Sequence, residues 1–547
     1  MRCDRQVWRN WEGNHECVAE VCHAANLDDL KEIVKKAIVE RKSIRVSGGG
    51  SGRAGSASYS VSPIVKNEGG IIVKLGNLNK GYVHDDDSGR VTVEAGMTIA
   101  ELEDLVAKHQ LSFEAMLVPP FVGVGGAVAL GCHGSGYRHG TLSDQVVSMD
   151  LITADGNVKT ISQDDPHLMR AARVNLGLLG IIHTVTFQCV KEFKLRAVDE
   201  KVDMKTTINN IKSLVEGHDH VEVFWSPFRS DVLVKKWDRV PWDTPDRNAP
   251  SAWDDFVAWS QTQLGAVGLA AVTRFPRATP IATNLYMALQ KHQTTIAPAH
   301  KIFHYQKYFP RRLWDVSYGF DVGVDFKSFH SAWNFVTDKI CAYANPKATC
   351  TSVWPASYGR SGIFPQNFVM HARFVGQSDA YLAPSVGNRH TCMLQLITYF
   401  GSDCKQYFNE VEAHLLSLGG RPHWGKTFDT STDFARLYGE NMDKFKQVRQ
   451  HMDPSGIFLN EFTRKALDGE ARWEPVLGSP GAADAGSEET QCLPTALRVV
   501  QGIEATRPLN RPPCCSRKWK KSTTGRDWEL NCTSAGLLCC SPSMALE

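Results

Sequence analysis

The stretch that decides the fold is Val122-Gly-Val-Gly-Gly-Ala-Val-Ala-Leu-Gly-Cys-His-Gly-Ser-Gly-Tyr-Arg-His-Gly-Thr-Leu-Ser-Asp144. It holds seven glycines and two histidines and shows almost no helix or strand pattern of its own. Glycine is entropically costly to order, so this density points to a backbone that must come close to something. A second glycine cluster, Ser47-Gly-Gly-Gly-Ser-Gly-Arg-Ala-Gly55, follows a short strand expected at 43–47. Gly50, Gly52 and Gly55 have the G-x-G-x-x-G spacing, but a Rossmann turn must open an amphipathic helix. Here Ser-Ala-Ser-Tyr-Ser-Val-Ser-Pro follows, which is no helix. The Rossmann reading is therefore rejected. Successive backbone N–H groups after a strand still make an anion nest, with a plain glycine loop as the alternative.

Around these two loops the chain reads as mixed α and β. Leu27, Leu30, Ile33, Val34, Ala37 and Ile38 repeat at helical spacing, with Asn26 as cap. Strands are expected at 71–75 and 90–94, and Thr98-Ile-Ala-Glu101 is a capping box that opens a helix to His109. Residues 146–153 and 158–161 form a hairpin around Ala154-Asp-Gly-Asn157. A helix at 167–175 leads through Gly177-Leu-Leu-Gly-Ile-Ile182 into a strand to Val190. Beyond residue 193 the pattern loosens. Strands are expected near 221–225, 231–235, 368–374 and 392–400, and a helix at 405–418. Residues 236–300 form a Pro-, Trp- and Ala-rich insertion. Its 254–275 part is read as a helix packed on its own domain, or as one lying on a membrane surface. Residues 466–547 carry Gly, Ser, Pro, Cys and a Lys/Arg cluster without periodicity, and are read as a disordered tail.

Composition excludes several classes. At 547 residues, 42% hydrophobic and 22% charged, the chain can bury a sizeable core. A net charge of +2 with no basic, aromatic-interleaved block argues against a nucleic-acid groove. The polar N-terminus is not a secretory signal, and no apolar run reaches the roughly 20 residues that span a bilayer. The 15 cysteines include no CxxC pair, which argues against a zinc site and against a disulfide framework in the main body. A reducing compartment is the simplest reading. No carboxylate or cysteine cluster accompanies His133 and His139, so no metal is expected.

Five stretches in order carry a resemblance: VSGGGSG at 46–52, VGGAVALGCHGSGYRHGTLSDQV at 124–146, ARVNLGLLGII at 172–182, RPHWGK at 421–426 and MDPSGIFLNEF at 452–462. HKIFHY at 300–305 adds to them. Together they resemble the flavin-linked aldonolactone oxidases of the vanillyl-alcohol-oxidase superfamily, the gulonolactone and arabinonolactone oxidases. The resemblance runs from Trp8 to Phe462. It implies an α+β, two-domain flavoprotein: a PCMH-type FAD-binding domain over 12–192 and an α+β cap or substrate domain over 193–465. The last stretch, ending at Phe462, is expected to return to the flavin domain.

The same resemblance implies the site. FAD would lie against Ser47, Gly48, Gly49, Gly50, Ser51, Gly52, Gly125, Gly126, Gly131, His133, Gly134, Ser135, Gly136, Gly180, Ile181 and His423. The chemistry would fall to Lys426, Arg373 and His371. The two cations hold the lactone and favour the alkoxide and the reduced flavin. Three positions depart from the family pattern. Ser51 replaces the histidine that links covalently to flavin, so FAD is expected to be non-covalent. His371 replaces the glutamate of a Glu-x-Arg pair. Leu117 is bulky where oxidases are small, so weak oxygen reactivity is expected. The implied reaction oxidises a sugar-acid 1,4-lactone of the gulono- or arabinono- type to an ascorbate-like product, with oxygen or another electron acceptor. An aldonolactone or alditol dehydrogenase and a non-catalytic FAD-binding homologue are the alternatives. Expected locations are the cytoplasm or the endoplasmic-reticulum membrane surface, with the 236–300 insertion as the point of peripheral contact.

Overall fold

A computed structural model describes residues 2–48, 58–84, 87–346, 362–429 and 431–468, and the backbone of 518–521 and 528–531. The chain divides into two units, Met1–Ser487 and Glu488–Glu547. Among its described residues the second contributes one antiparallel pair, Lys518–Lys521 with Trp528–Asn531. The rest of the tail expected from residue 466 lies outside the described residues, but its first residues complete the helix Glu461–Asp468 and bury Ala466 and Leu467.

Among the described residues two main sheets precede residue 193, with a two-stranded pair of Leu111–Ser112 and Val190–Lys191 beside them. The first orders Arg2–Arg9, Glu16–His23, Ile71–Lys74 and Ile44–Ser47 side by side, the last two pairings parallel. The helix Leu27–Glu40 makes the crossover, capped by the Asn26 side chain on the Asp29 N–H and burying Leu30, Ile33, Val34 and Ala37. The second sheet is antiparallel, in the order Gly81–Val83, Arg90–Glu94, Ile181–Gln188, Val146–Ile152, Val158–Ser162. The strands Arg2–Arg9 and Glu16–His23 were not expected. They place Cys3 opposite Cys22, and the two form a disulfide. That corrects the expectation of no disulfide in the main body: spacing alone does not reveal a cross-strand pair.

After residue 193 one antiparallel sheet of eight strands dominates. Its order is Gln293–Pro298, Lys194–Asp203, Asp231–Val240, His220–Trp225, Met370–Gly376, His390–Tyr399, Leu313–Asp321, Arg421–Pro422. Alternation along each strand sorts its side chains onto two faces. Trp225 and Phe374 point to one face, where the helix Lys327–Ala344 packs Trp333 on Trp225 at 4.0 Å and Phe329 on Phe374 at 5.6 Å. Register pairs Glu222 with Arg373, Phe224 with His371, His371 with Gln395 and Gln395 with Ser317, so these share the opposite face. That face is the floor of the candidate site.

The chain ends where it began. The Ile44 N–H donates to the Ile457 carbonyl at 2.6 Å, and the Arg45 guanidinium donates to the Phe458 carbonyl at 2.7 Å. The Asn460 amide reaches the carbonyls of Ile64 and Lys66. Residues 452–462 thus return to the first sheet, as the sequence implied.

Candidate active site

The glycine run at 122–144 is not a plain loop. Val124–Ala129 is a short helix with Gly123 at its N-cap position. Its glycines serve two purposes. At Gly126 an added Cβ meets nothing within 4 Å, because that position faces a cleft. At Gly125 the Cβ would press on Ala95 at 2.8 Å. Gly134 is different: its Cβ would lie 2.0 Å from the Met116 carbonyl oxygen.

The second half of the run is a seam to the large sheet. The Gly136 N–H donates to the Phe374 carbonyl, and the Gly376 N–H returns to the Gly136 carbonyl at 3.1 Å. Carbonyls of Ser135 and Tyr137 accept from the imidazoles of His220 and His390. Gly131 sits at positive φ against Val174.

Two cavities meet at Gly48, Ser58, Ser60, Gly126 and Leu130. One runs along Arg45, Gly125, Gly177, Gly180 and Ile182. The other widens over the sheet floor, beneath an aromatic wall of Trp11, Tyr59, Phe121 and Phe309. Of the residues expected at the cofactor, Gly48, Gly125, Gly126 and Gly180 border these cavities, and His133 and His423 border the wider one. Ser47 is buried and accepts from the Lys74 ammonium at 3.3 Å. Ser135 and Gly136 lie in the seam, Gly131 packs against Val174 and Gly134 against the Met116 carbonyl, and Ile182 rather than Ile181 borders the cleft. Gly49, Gly50, Ser51 and Gly52 lie outside the described residues.

His133 and His423 are neighbours, their rings 5.6 Å apart. Burial holds both as neutral imidazoles: His133 is lowered to about 3, and His423 lies well below the ordinary range. The His133 Nδ1 donates to the Gly134 carbonyl, while the His423 Nδ1 accepts the Gly425 N–H at 3.0 Å. A neutral ring carries one proton, so His133 keeps a bare Nε2 and His423 a protonated one.

Two charged clusters stand on the floor. In the first, Lys426 pairs with the Asp315 Oδ2, and the Gln395 amide donates to both Asp315 oxygens at 2.9 Å. The turn that aims Lys426 closes through its N–H on the His423 carbonyl and is anchored by fully buried Trp424 against Phe434. Glu12 borders the cavity nearby and accepts the Leu313 N–H. Burial pushes its carboxyl up to about 7.

In the second cluster Glu222 is fully buried. The Tyr305 hydroxyl donates to its Oε2 at 2.5 Å, the His371 Nε2 lies 3.0 Å from the same oxygen, and the Arg373 Nε is 3.8 Å from Oε1. Burial alone would raise this carboxyl, but Arg373, His371 and Tyr305 outweigh it and hold it well below the usual range. An ionised carboxylate has no proton to give and calls for one on His371 Nε2, whereas the Arg373 Nε–H, 3.3 Å from that nitrogen, calls for a lone pair; the carboxylate at 3.0 Å is the nearer partner and sets the proton on Nε2. Burial and Arg373 bring His371 down to about 4.

The sequence reading brought Lys426, Arg373, His371 and His423 to one cavity. It missed Glu222, Tyr305, Asp315, Gln395 and Glu12. A charged residue inside the apolar strand His-Val-Glu-Val-Phe-Trp was the available signal for Glu222. The carboxylate absent at position 371 reaches Arg373 from the neighbouring strand.

A family model for D-arabinono-1,4-lactone oxidase matches residues 185–466, and one for an FAD binding domain matches 18–162. The chain is 28% identical over 468 residues to L-gulono-1,4-lactone dehydrogenase of Mycobacterium tuberculosis, covering 84% of this chain and 99% of that protein. It is 27% identical over 476 residues to L-gulonolactone oxidase of Bos taurus, covering 84% and 98%. Among solved structures, cholesterol oxidase from Brevibacterium sterolicum superposes with a TM-score of 0.67 at 18% identity, covering 85% of this chain and 97% of that one. Xylooligosaccharide oxidase from Myceliophthora thermophila gives 0.55 at 14%, covering 82% and 92%. The structural likenesses establish the fold.

Proposed function

This chain belongs to the D-arabinono-1,4-lactone oxidase family, and on that premise we propose that it oxidises a sugar-acid 1,4-lactone of the gulono- or arabinono- type, using FAD. The observation that carries the reading is the meeting of the two cavities at Gly48 and Gly126, beside a floor that offers Lys426 and Arg373. The residues fit an extended dinucleotide: Gly48 and Gly126 leave space where a side chain would stand. Gly125, Gly180 and Ile182 would hold one end of FAD, and His133 and His423 would border the other. Bound there, the flavin supplies the two-electron oxidation by accepting hydride from the carbon that bears the substrate hydroxyl.

The protein's own part is orientation, charge and proton transfer. Lys426, steadied by Asp315 and Gln395, and Arg373, steadied by Glu222, favour the oxygen that becomes negative. His371 lies between Arg373 and Phe224, on which its ring stacks at 3.8 Å. The modules would be 12–192 for FAD and 193–465 for the lactone. Ser51 cannot form the histidyl link, so FAD is held without a covalent bond; yellow colour that stays with acid-precipitated protein would overturn this. Leu117, 3% exposed, borders the cavity and supports a dehydrogenase that passes electrons to an acceptor other than oxygen.

Anaerobic mixing with gulono- and arabinono-1,4-lactone and with alditols tests the reading. Bleaching of the flavin band by lactone, with slow recovery in air, is the expected result. Bleaching only by alditols, or by nothing, rejects it. The insertion supports a second contact, with a lipid surface, through the helices Ala252–Arg274 and Thr279–Leu289.

A further inference from the structure

The resemblance implies a carboxylate two residues before Arg373, and that place holds His371. The replacement is not a simple loss. Glu222 sits directly across the strand pair from Arg373, on the same sheet face as His371. Its Oε2 accepts from His371 Nε2 at 3.0 Å and from the Tyr305 hydroxyl at 2.5 Å. The Arg373 Nε–H also points at Nε2, from 3.3 Å, and opposes a proton there; with the nearer, ionised carboxylate holding that proton, the lone pair of the neutral ring is on Nδ1. Among the described residues Nδ1 has no hydrogen-bond partner, while the ring borders the cavity. Phe224 stacked on the ring fixes its plane. Orientation by a buried acid, one protonated nitrogen and one bare nitrogen on a ring that borders the cavity are the parts of a carboxylate–imidazole base.

We propose that Glu222 and His371 form such a dyad, in which Nδ1 of His371 takes the proton of the substrate hydroxyl and Glu222 is the positioning residue. The proposal rests on the oxidation reading above. In the step, the O–H bond breaks and its proton forms a new N–H bond on Nδ1. The pair left on oxygen becomes the second bond of C=O as the adjacent C–H pair departs as hydride to the flavin of the proposed activity. The imidazolium so formed lies between Glu222, which favours it, and Arg373, which opposes it. Lys235 from the next strand and His133 from across the cavity also oppose it. Tyr305 keeps Glu222 ionised.

The first readout needs no turnover. In ¹⁵N-histidine NMR, the resonance lost in His371→Gln identifies the ring. Expected at pH 7 is a ring protonated at Nε2 and bare at Nδ1, whose pKa falls in Glu222→Gln. A ring protonated at Nδ1, or a pKa unmoved by Glu222→Gln, overturns the dyad whether or not lactones are substrates. The second readout uses whichever alcohol bleaches the flavin of the wild type, so a wrong substrate and a wrong base give different results. His371→Gln and Glu222→Gln are each expected to slow bleaching about 100-fold at saturation with the half-saturating concentration changed little. The double variant is expected to be no slower than His371→Gln, since residues that act as a unit are not additive. Imidazole is expected to restore part of the rate to His371→Gly. Additive losses, or full bleaching rates in His371→Gln, overturn the proposal.

Discussion

Glu12 is the residue whose environment most changes its chemistry. Burial raises its carboxyl from 4.5 to about 7, against a backbone N–H bond that lowers it. A folded-state value above the unfolded one gives stability that is complete below about 4.5 and is lost as pH rises through 7. The limiting size is about 3 kcal/mol. His304 and Glu103, a buried pair whose values are both raised, act in the same direction, so the wild type alone does not isolate Glu12. Buried histidines held low, such as His15, His220 and His371, act in the opposite direction, so the expected result is that Glu12→Gln makes the slope of melting temperature against pH more positive than in wild type between pH 5 and 8; equal slopes would show that Glu12 titrates normally. A second residue-scale prediction concerns Leu117. Leu117→Gly is expected to speed reoxidation of the reduced enzyme in air at least tenfold, and stopped-flow mixing with oxygenated buffer checks it. Lys426, Arg373 and His423 were legible because they sit in short motifs. Glu222, Asp315 and Glu12 were not, because their partners come from other strands and no local spacing records a cross-strand pair.

Elements with their own caps and periods were easiest to read. The helix Leu27–Glu40 and the capping box at Thr98 agree with the structure because their signals are local. Strands failed where alternation is absent. Leu313–Asp321 is buried on nearly every residue, and Arg2–Arg9 is exposed along most of its length. The glycine run shows the same limit in another form. Its density was legible, but not which glycine meets a ligand and which meets the protein. Gly126 and Gly134 separate the two cases. Gly126→Val fills cleft space and touches no protein atom near its Cβ, so it is expected to melt near the wild-type apoprotein and to purify without flavin. Gly134→Ala drives a methyl into the Met116 carbonyl and is expected to lower the apoprotein melting temperature by several degrees. Differential scanning calorimetry with flavin absorbance distinguishes them; a yellow Gly126→Val protein would move the cofactor elsewhere.

At the scale of the whole molecule, the 236–300 insertion leaves apolar surface uncovered. Of the helix Ala252–Arg274 only Leu269 and Val272 are buried, so it does not pack on its domain as a core helix would. Trp253, Phe256, Leu264 and Phe275 are exposed along it, and Ile281, Leu285 and Leu289 recur every fourth residue along the exposed side of Thr279–Leu289. Residues 256–273 carry no charge, while Arg274, Arg277 and Lys291 follow at the rim. No helix among the described residues is long and apolar enough to cross a membrane, so this surface would lie on a bilayer. Aromatic rings beside cations suit an interface with anionic headgroups. The helix Thr279–Leu289 lines the cavity with Tyr286, which would set the pocket close to the lipid boundary. The purified chain is therefore expected to float with vesicles containing anionic lipid and less with neutral ones. The triple variant Trp253→Ser, Phe256→Ser, Leu264→Ser is expected to bind about 100-fold more weakly, with lactone turnover unchanged in detergent-free buffer. A wild type that stays at the bottom of the gradient would reject the lipid surface. If it also sediments as a dimer that the variant dissociates, the patch is a contact between two copies instead.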